Sequence, residues 1–200
     1  MINIQIYGLQ RSGTNYLEQL LINNYRNTEL IHTLNREKTN HKHFRLYDEK
    51  QFIPEDKLCN NFRCSNLDDL QNTFIKKPDI YLILSKDPYS WLLSYVKWAN
   101  LCKWPKLDYP YAYEYQLFYS KWKEIGEDRN NVIFVKYIDL LTNFRKFHKK
   151  IKRFGLKSKN LFLKTAFNKI DPLEYVFSKE HKEYYIKKQY MNFLNHEQYY

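Results

Sequence analysis

The first 25 residues constrain the fold more than any other stretch of the chain. Ile2-Asn3-Ile4-Gln5-Ile6-Tyr7 alternates apolar and polar side chains and stops at Gly8, the pattern of a short strand ending in a tight turn. Leu17, Leu20, Leu21 and Tyr25 then recur at helical spacing, which predicts a helix from Gly13 or Thr14 to about Tyr25. A strand, a glycine-bounded loop and a helix in immediate succession form the opening of an α/β unit.

The rest of the chain repeats that alternation. Ile80-Tyr81-Leu82-Ile83-Leu84 is a continuous apolar run, as expected of a strand buried on both faces of a parallel sheet. Asp87-Pro88 can open the next helix, with Asp87 as N-cap and Pro88 at the first helical position; Trp91, Tyr95, Trp98 and Cys102 share one face of it. Further helices are predicted over Asp68 to Lys77, Tyr111 to Ile125, Asn143 to Phe154 and Lys179 to Phe193. Val132 to Val135 reads as another buried strand. Glu29 to His32 is a short strand within a long polar region from Thr28 to Asn66. The expected fold is a three-layer α/β sandwich around a mostly parallel sheet, P-loop NTPase-like, in one domain over residues 1–200.

The loop Gly8-Leu9-Gln10-Arg11-Ser12-Gly13-Thr14-Asn15 lies where small residues let backbone amides wrap an anion and where a helix N-terminus adds partial positive charge. Its glycines, five apart, fit the frame of a Walker A loop. Thr14 stands where the Walker Lys belongs, however, and Asn15 where the Mg²⁺-binding hydroxyl belongs. ATP-dependent phosphoryl transfer relies on that Lys and that metal. Arg11 supplies a cation from inside the loop instead.

With Arg11-Ser12-Gly13-Thr14-Asn15-Tyr16-Leu17 the chain resembles the sulfotransferases that use 3′-phosphoadenosine 5′-phosphosulfate (PAPS). Their 5′-phosphosulfate loop has the form G-x-x-[RK]-S-G-T-[NT]. The resemblance implies that Gly8, Arg11, Ser12, Gly13, Thr14 and Asn15 bind the donor's 5′ end and that Arg11 stabilises the leaving bridging oxygen. The family's second motif follows a central strand and sets a basic residue eight positions before a Ser, both on the 3′-phosphate. Lys86 and Ser94 take those places, with Lys where Arg is usual. Val135-Lys136-Tyr137-Ile138-Asp139-Leu140-Leu141 is similar to a third family segment, which adds Tyr137 to the nucleotide-binding positions. By position, Lys187 in the Lys187-Lys188 pair corresponds to a basic C-terminal segment that closes over the 3′-phosphate.

Sulfuryl transfer needs a base and cations around the leaving group. His41-Lys42-His43 resembles the family segment carrying the base: His43 is the first choice, His41 the second, with Lys42 steadying the transferred group. Glu29 and Glu37 are the acidic alternatives. His148, His181 and His196 are expected to be solvated, and no cluster has metal-ligand spacing, so no metal is expected.

The net charge of +11 favours an anionic partner, although the Lys residues read as scattered rather than gathered in one stripe. The expected partner is an acceptor hydroxyl or amine on a carbohydrate or small molecule. An ATP-dependent P-loop phosphotransferase and a basic nucleic-acid-binding protein are the alternative functions. Cys59, Cys64 and Cys102 make neither a disulfide framework nor a zinc site. Together with the lack of a signal-like or membrane-spanning run they suggest a cytoplasmic setting.

Overall fold

The structure, a computed structural model, describes residues 1–31, 41–43, 66–71, 76–101, 111–159 and 179–192. Four strands, β1 (Ile2–Tyr7), β2 (Thr28–Leu30), β3 (Ile80–Ser85) and β4 (Val132–Lys136), form an all-parallel sheet in the order β2-β1-β3-β4. The helices are α1 (Thr14–Asn24), α2 (Leu67–Gln71), α3 (Pro88–Leu101), α4 (Tyr111–Glu127), α5 (Tyr137–Thr142), α6 (Phe144–Lys152) and α7 (Lys179–Ile186). Short 3-10 turns occur at His41–His43 and Gln189–Asn192.

The two-residue period of the strands divides the interior into two cores. Ile4, Ile6, Leu82 and Leu84 point to one face, where Leu17, Leu20 and Leu21 of α1, Leu140 of α5 and Phe147 and Ile151 of α6 cover them. Tyr7, Tyr81 and Ile83 point to the other, under Trp91 and Tyr95 of α3 and Phe118 and Trp122 of α4. Tyr7 and Trp122 stack at 4.7 Å between ring centroids, an arrangement that adds about 0.5–1.5 kcal/mol to the area buried. The chain therefore has α/β architecture with helices on both faces of the sheet.

The sheet order also locates a crevice. β1 connects outward to β2 on one side, while the chain returns to place β3 on β1's other side, so connections leave β1 and β3 in opposite senses. That is the switch point at which α/β sheets bind ligands, outside the carboxyl ends of the strands. Register aligns those ends: Tyr7 pairs with Ile83, and Ser85 pairs with Lys136. Gly8, Lys86 and Tyr137, each the first residue after its strand, consequently emerge at the same edge.

Several boundaries differ from expectation. β4 is an edge strand among the described residues: Ile133 and Val135 are buried on one face, whereas on the other Val132 is buried and Phe134 is 36% exposed, and Lys136 is exposed as well. The helix expected from Asn143 is preceded by α5. Asn143 separates α5 from α6, its side chain accepting the Lys146 amide at 3.2 Å as an N-cap. The helix expected to continue to Phe193 ends at Ile186, because Lys188 takes a left-handed φ of 49°. β2 covers Thr28–Leu30, and α2 covers Leu67–Gln71, with Lys76 and Lys77, the expected end of that helix, lying outside any helix. Most of the polar stretch from Thr28 to Asn66, Cys59, Cys64, Cys102, Glu37 and His196 lie outside the described residues. No described helix is long and apolar enough to cross a membrane.

Candidate functional site

The loop between β1 and α1 turns sharply at two left-handed residues, Arg11 with φ 68° and Gly13 with φ 98°. Such alternation makes consecutive amides converge on one point. Gly13 is the N-cap of α1, no side chain caps the helix, and its first turn carries no acidic residue. The first amides of an α-helix have no intrahelical acceptor, so this end of α1 offers donors and partial positive charge to an anion. Ser12 is fully buried, and its Oγ has no hydrogen-bond partner among the described residues.

Close packing fixes the loop. A Cβ on Gly13 would stand 2.5 Å from the Tyr137 ring. A side chain on Gly8 would run into Ser12 Oγ and, at 2.8 Å, the Leu84 carbonyl. The indole of Trp91 donates from Nε1 to the Gln10 carbonyl at 2.9 Å, tying the loop to α3. Arg11 itself is exposed, its guanidinium carbon 5.9 Å from the centre of the Trp98 ring, the outer range of a cation–π contact.

The His41–His43 turn is latched to the same loop in both directions. The Gly8 amide donates to the Lys42 carbonyl at 2.9 Å, and the Gly8 carbonyl accepts from His43 Nδ1 at 2.8 Å. A carbonyl can only accept, so Nδ1 carries the proton and the lone pair of the neutral ring lies on Nε2. His43 is 8% exposed. Lys42 Nζ donates to Asn15 Oδ1 and forms an ion pair with Glu18 at 2.9 Å. The side chain of His41 lies outside the described set. Glu29, the acidic alternative within it, is tied up in an ion pair with Lys76 at 2.8 Å.

On the other side of the switch point, Lys86 is 7% exposed and donates to Ser94 Oγ at 2.7 Å. Ser94 Oγ in turn donates to the Ser90 carbonyl at 2.9 Å. Asp87 caps α3 by accepting the amides of Tyr89 and Ser90 at 3.1 and 3.3 Å. Lys86 Nζ lies 4.9 Å from the Tyr185 ring centre and 5.7 Å from that of Tyr137. Burial first, and then the nearby Arg11 guanidinium, bring its pKa down from 10.5 to about 7, with Asp87 opposing. An anion arriving here would restore the charge.

Lys86 opens into a cavity of about 280 Å³ bounded by Tyr137 on one side and by Tyr185, Lys188 and Tyr190 on the other. Tyr137 is nearly enclosed, edge-on to Tyr16 at 5.6 Å and to Tyr185 at 5.2 Å, and burial drives its hydroxyl pKa well upward.

Lys86 and Ser94, matched by their spacing in the sequence, are thus in contact, and the fold adds contacts of His43 with Gly8 and of Lys42 with Asn15 that no spacing had paired. Lys187 instead points to Glu183 Oε2 at 3.1 Å, with its side chain 60% exposed, and Lys188 is the neighbour that lines the cavity. The Glu183 to Lys187 spacing of four on a helix is the signal that separates the two. His148 also departs from expectation. Rather than being solvated, it is half-buried, hydrogen-bonded through Nδ1 to the buried Tyr25 hydroxyl at 2.7 Å and stacked on that ring. Sequence reasoning did not single out Tyr115 and Tyr119, whose hydroxyls donate to the Lys86 and Leu84 carbonyls at 2.5 and 2.8 Å. Their spacing of four on α4 and their polar tips are the available signal. Among the described residues no group of His, Cys, Asp or Glu could hold a metal ion.

No protein-family model and no curated protein matches the chain.

Proposed function

We propose that this protein is a PAPS-dependent sulfotransferase of P-loop-like architecture. One observation carries the proposal: an uncapped, arginine-bearing helix N-terminus and a buried Lys86–Ser94 pair meet at the carboxyl edge of β1 and β3. A donor with phosphate groups at both its 5′ and 3′ positions needs two such anion sites, and the buried, unpaired Ser12 hydroxyl and the cavity beside Lys86 suit them.

In this assignment residues 8–15 hold the 5′-phosphosulfate, with Ser12 Oγ donating and Arg11 facing the charge that builds on the leaving oxygen. Lys86 and Ser94 hold the 3′-phosphate, joined by Lys188. When bound, the donor supplies an activated sulfuryl group on a nucleotide phosphate leaving group. His43 contributes the base: the Gly8 carbonyl orients its ring and holds the proton on Nδ1, which makes Nε2 the basic nitrogen that takes the acceptor's proton. Lys42 stays paired with Asn15 and Glu18 beside the loop and organises it. The acceptor is a hydroxyl or amine of a carbohydrate or small molecule.

Calorimetric titration with adenosine 3′,5′-bisphosphate, with ATP and Mg²⁺ in parallel, tests the assignment. The bisphosphate should bind without metal and more tightly than ATP. Arg11→Ala should weaken it about 10- to 100-fold, as expected for loss of a charged hydrogen-bond donor to phosphate. Preference for ATP with Mg²⁺ would move the protein to the phosphotransferases, and binding of neither nucleotide would end the proposal.

A further inference from the structure

The positive charge of this chain is unevenly distributed. Residues 140–159 carry eight Lys or Arg and no Asp or Glu, so they account for eight of the eleven net positive charges. Most of them lie on α6 and the turn that follows it. At 100° per residue, Phe144, Phe147 and Ile151 occupy the side of α6 that is buried in the core. Arg145, Lys146, Lys149, Lys150, Lys152 and Arg153 are all exposed and spread over the opposite half of the cylinder.

Helix stability does not account for this face. Cations in the last turn favour the helix dipole, but Arg145 and Lys146 lie in the first turn, where positive charge opposes it, and that turn holds no acidic residue. Lys146 reaches Asp139 at 3.5 Å. Arg145, Lys149 and Lys152, which form one line along the helix, have no ion-pair partner among the described residues. Their mutual repulsion is a cost that an external anion would remove.

We propose that the exposed face of α6 docks on an anionic phospholipid bilayer. Recognition would be by charge alone. The apolar side of α6 is committed to the core and cannot insert, and its aromatic residues face inward, so they offer no platform for stacking on bases. Six of the eight cations are Lys, compact charges without the planar fork that reads nucleic-acid bases. Long side chains at the flanks of the half-cylinder can reach the plane touched by its centre. The site lies outside the nucleotide crevice, and the inference does not depend on the proposed catalytic activity.

Sedimentation of the full chain with vesicles tests this, using phosphatidylcholine alone or mixed with phosphatidylserine. Binding should require the anionic lipid and should disappear as salt shortens the screening length from about 10 Å at 0.1 M to about 3 Å at 1 M. Arg145→Gln/Lys149→Gln/Lys152→Gln should lower vesicle partition about fivefold per cation, on the order of 100-fold together. Lys77→Gln/Lys121→Gln/Lys123→Gln, the same charge change elsewhere on the surface, should have a much smaller effect. Equal losses in both variants would overturn the docking face. So would binding to duplex DNA in place of the vesicles, which would make the partner a nucleic acid.

Discussion

Lys86→Met is expected to leave the folded chain at least as stable at pH 7 while lowering affinity for adenosine 3′,5′-bisphosphate by on the order of 100-fold. The two effects have opposite signs because the ammonium is enclosed, beside Arg11, and Ser94 Oγ, two aromatic rings and the Asp87 carboxylate offset that burial only in part. Replacing a buried charge with an apolar side chain of similar length is commonly neutral or stabilising. Removing the cation from a phosphate site costs about 3 kcal/mol in binding.

The pH dependence gives a sharper test of the same residue. The folded-state pKa of about 7 lies below the unfolded value of 10.5. Between those values the unfolded chain holds a proton that the folded chain has released, so Lys86 makes stability rise with pH by up to about 1.4 kcal/mol per unit. The penalty is full below pH 7 and gone above 10.5. In urea titrations the advantage of Lys86→Met over the wild type should therefore be largest near pH 7 and shrink toward pH 9. Nucleotide binding runs the other way: a bound phosphate favours the charged amine, so affinity should fall as pH rises above 7, with proton uptake visible as a buffer-dependent binding enthalpy. A variant less stable than the wild type by the same amount at every pH would show that Lys86 is charged and well compensated without ligand.

Gly13→Ala is expected to destabilise the fold by about 3 kcal/mol and to abolish nucleotide binding. Two costs combine. A left-handed φ of 98° costs a residue with a Cβ roughly 1–2 kcal/mol. The new methyl would also stand 2.5 Å from a Tyr137 ring held between Tyr16 and Tyr185, and overpacking of this kind costs roughly 1–3 kcal/mol. Any shift of that ring carries into the wall of the Lys86 cavity. Gly155→Ala separates the two costs, because Gly155 has φ 84° but its added Cβ would meet only Ile2, at 3.8 Å. It should lose only about 1–2 kcal/mol in the same urea titration. Equal losses at both glycines would show that contact with Tyr137 contributes nothing.

Much of this was legible in the residues. Alternation over Ile2–Tyr7 and the unbroken apolar run from Ile80 gave two strands whose bounds the structure reproduces closely. Asp87 caps α3, with Pro88 at its first position, as the local chemistry requires. The eight-residue separation of Lys86 from Ser94 proved to be a direct hydrogen bond, because Ser94 comes one turn beyond the Ser90 carbonyl it also binds.

Other features depend on packing that no local pattern encodes. The exposure of Phe134 follows from β4 lying at the sheet edge, and strand order is not written into a strand. His148 sits among lysines in the chain, yet it is half-buried because α6 turns it onto Tyr25 at the end of α1. Lys187 and Lys188 are adjacent and chemically identical. A left-handed φ at Lys188 ends α7 and leaves that residue at the edge of the cavity it lines, while Lys187 stays beside Glu183.

Sequence by itself determined the α/β alternation, the strand-to-helix turn over Gly8–Asn15 and the spacing that lets Lys86 reach Ser94, since each rests on interactions between residues a few positions apart. Tertiary structure alone decided that β1 and β3 are neighbours, that His43 reaches Gly8 across 35 residues, and that Tyr137 and Lys188 close the cavity around Lys86. Those relations depend on which faces of the sheet and helices bury one another. Burial is a property of the whole folded chain, and it is also what lowers the Lys86 pKa and so sets the charge of the site.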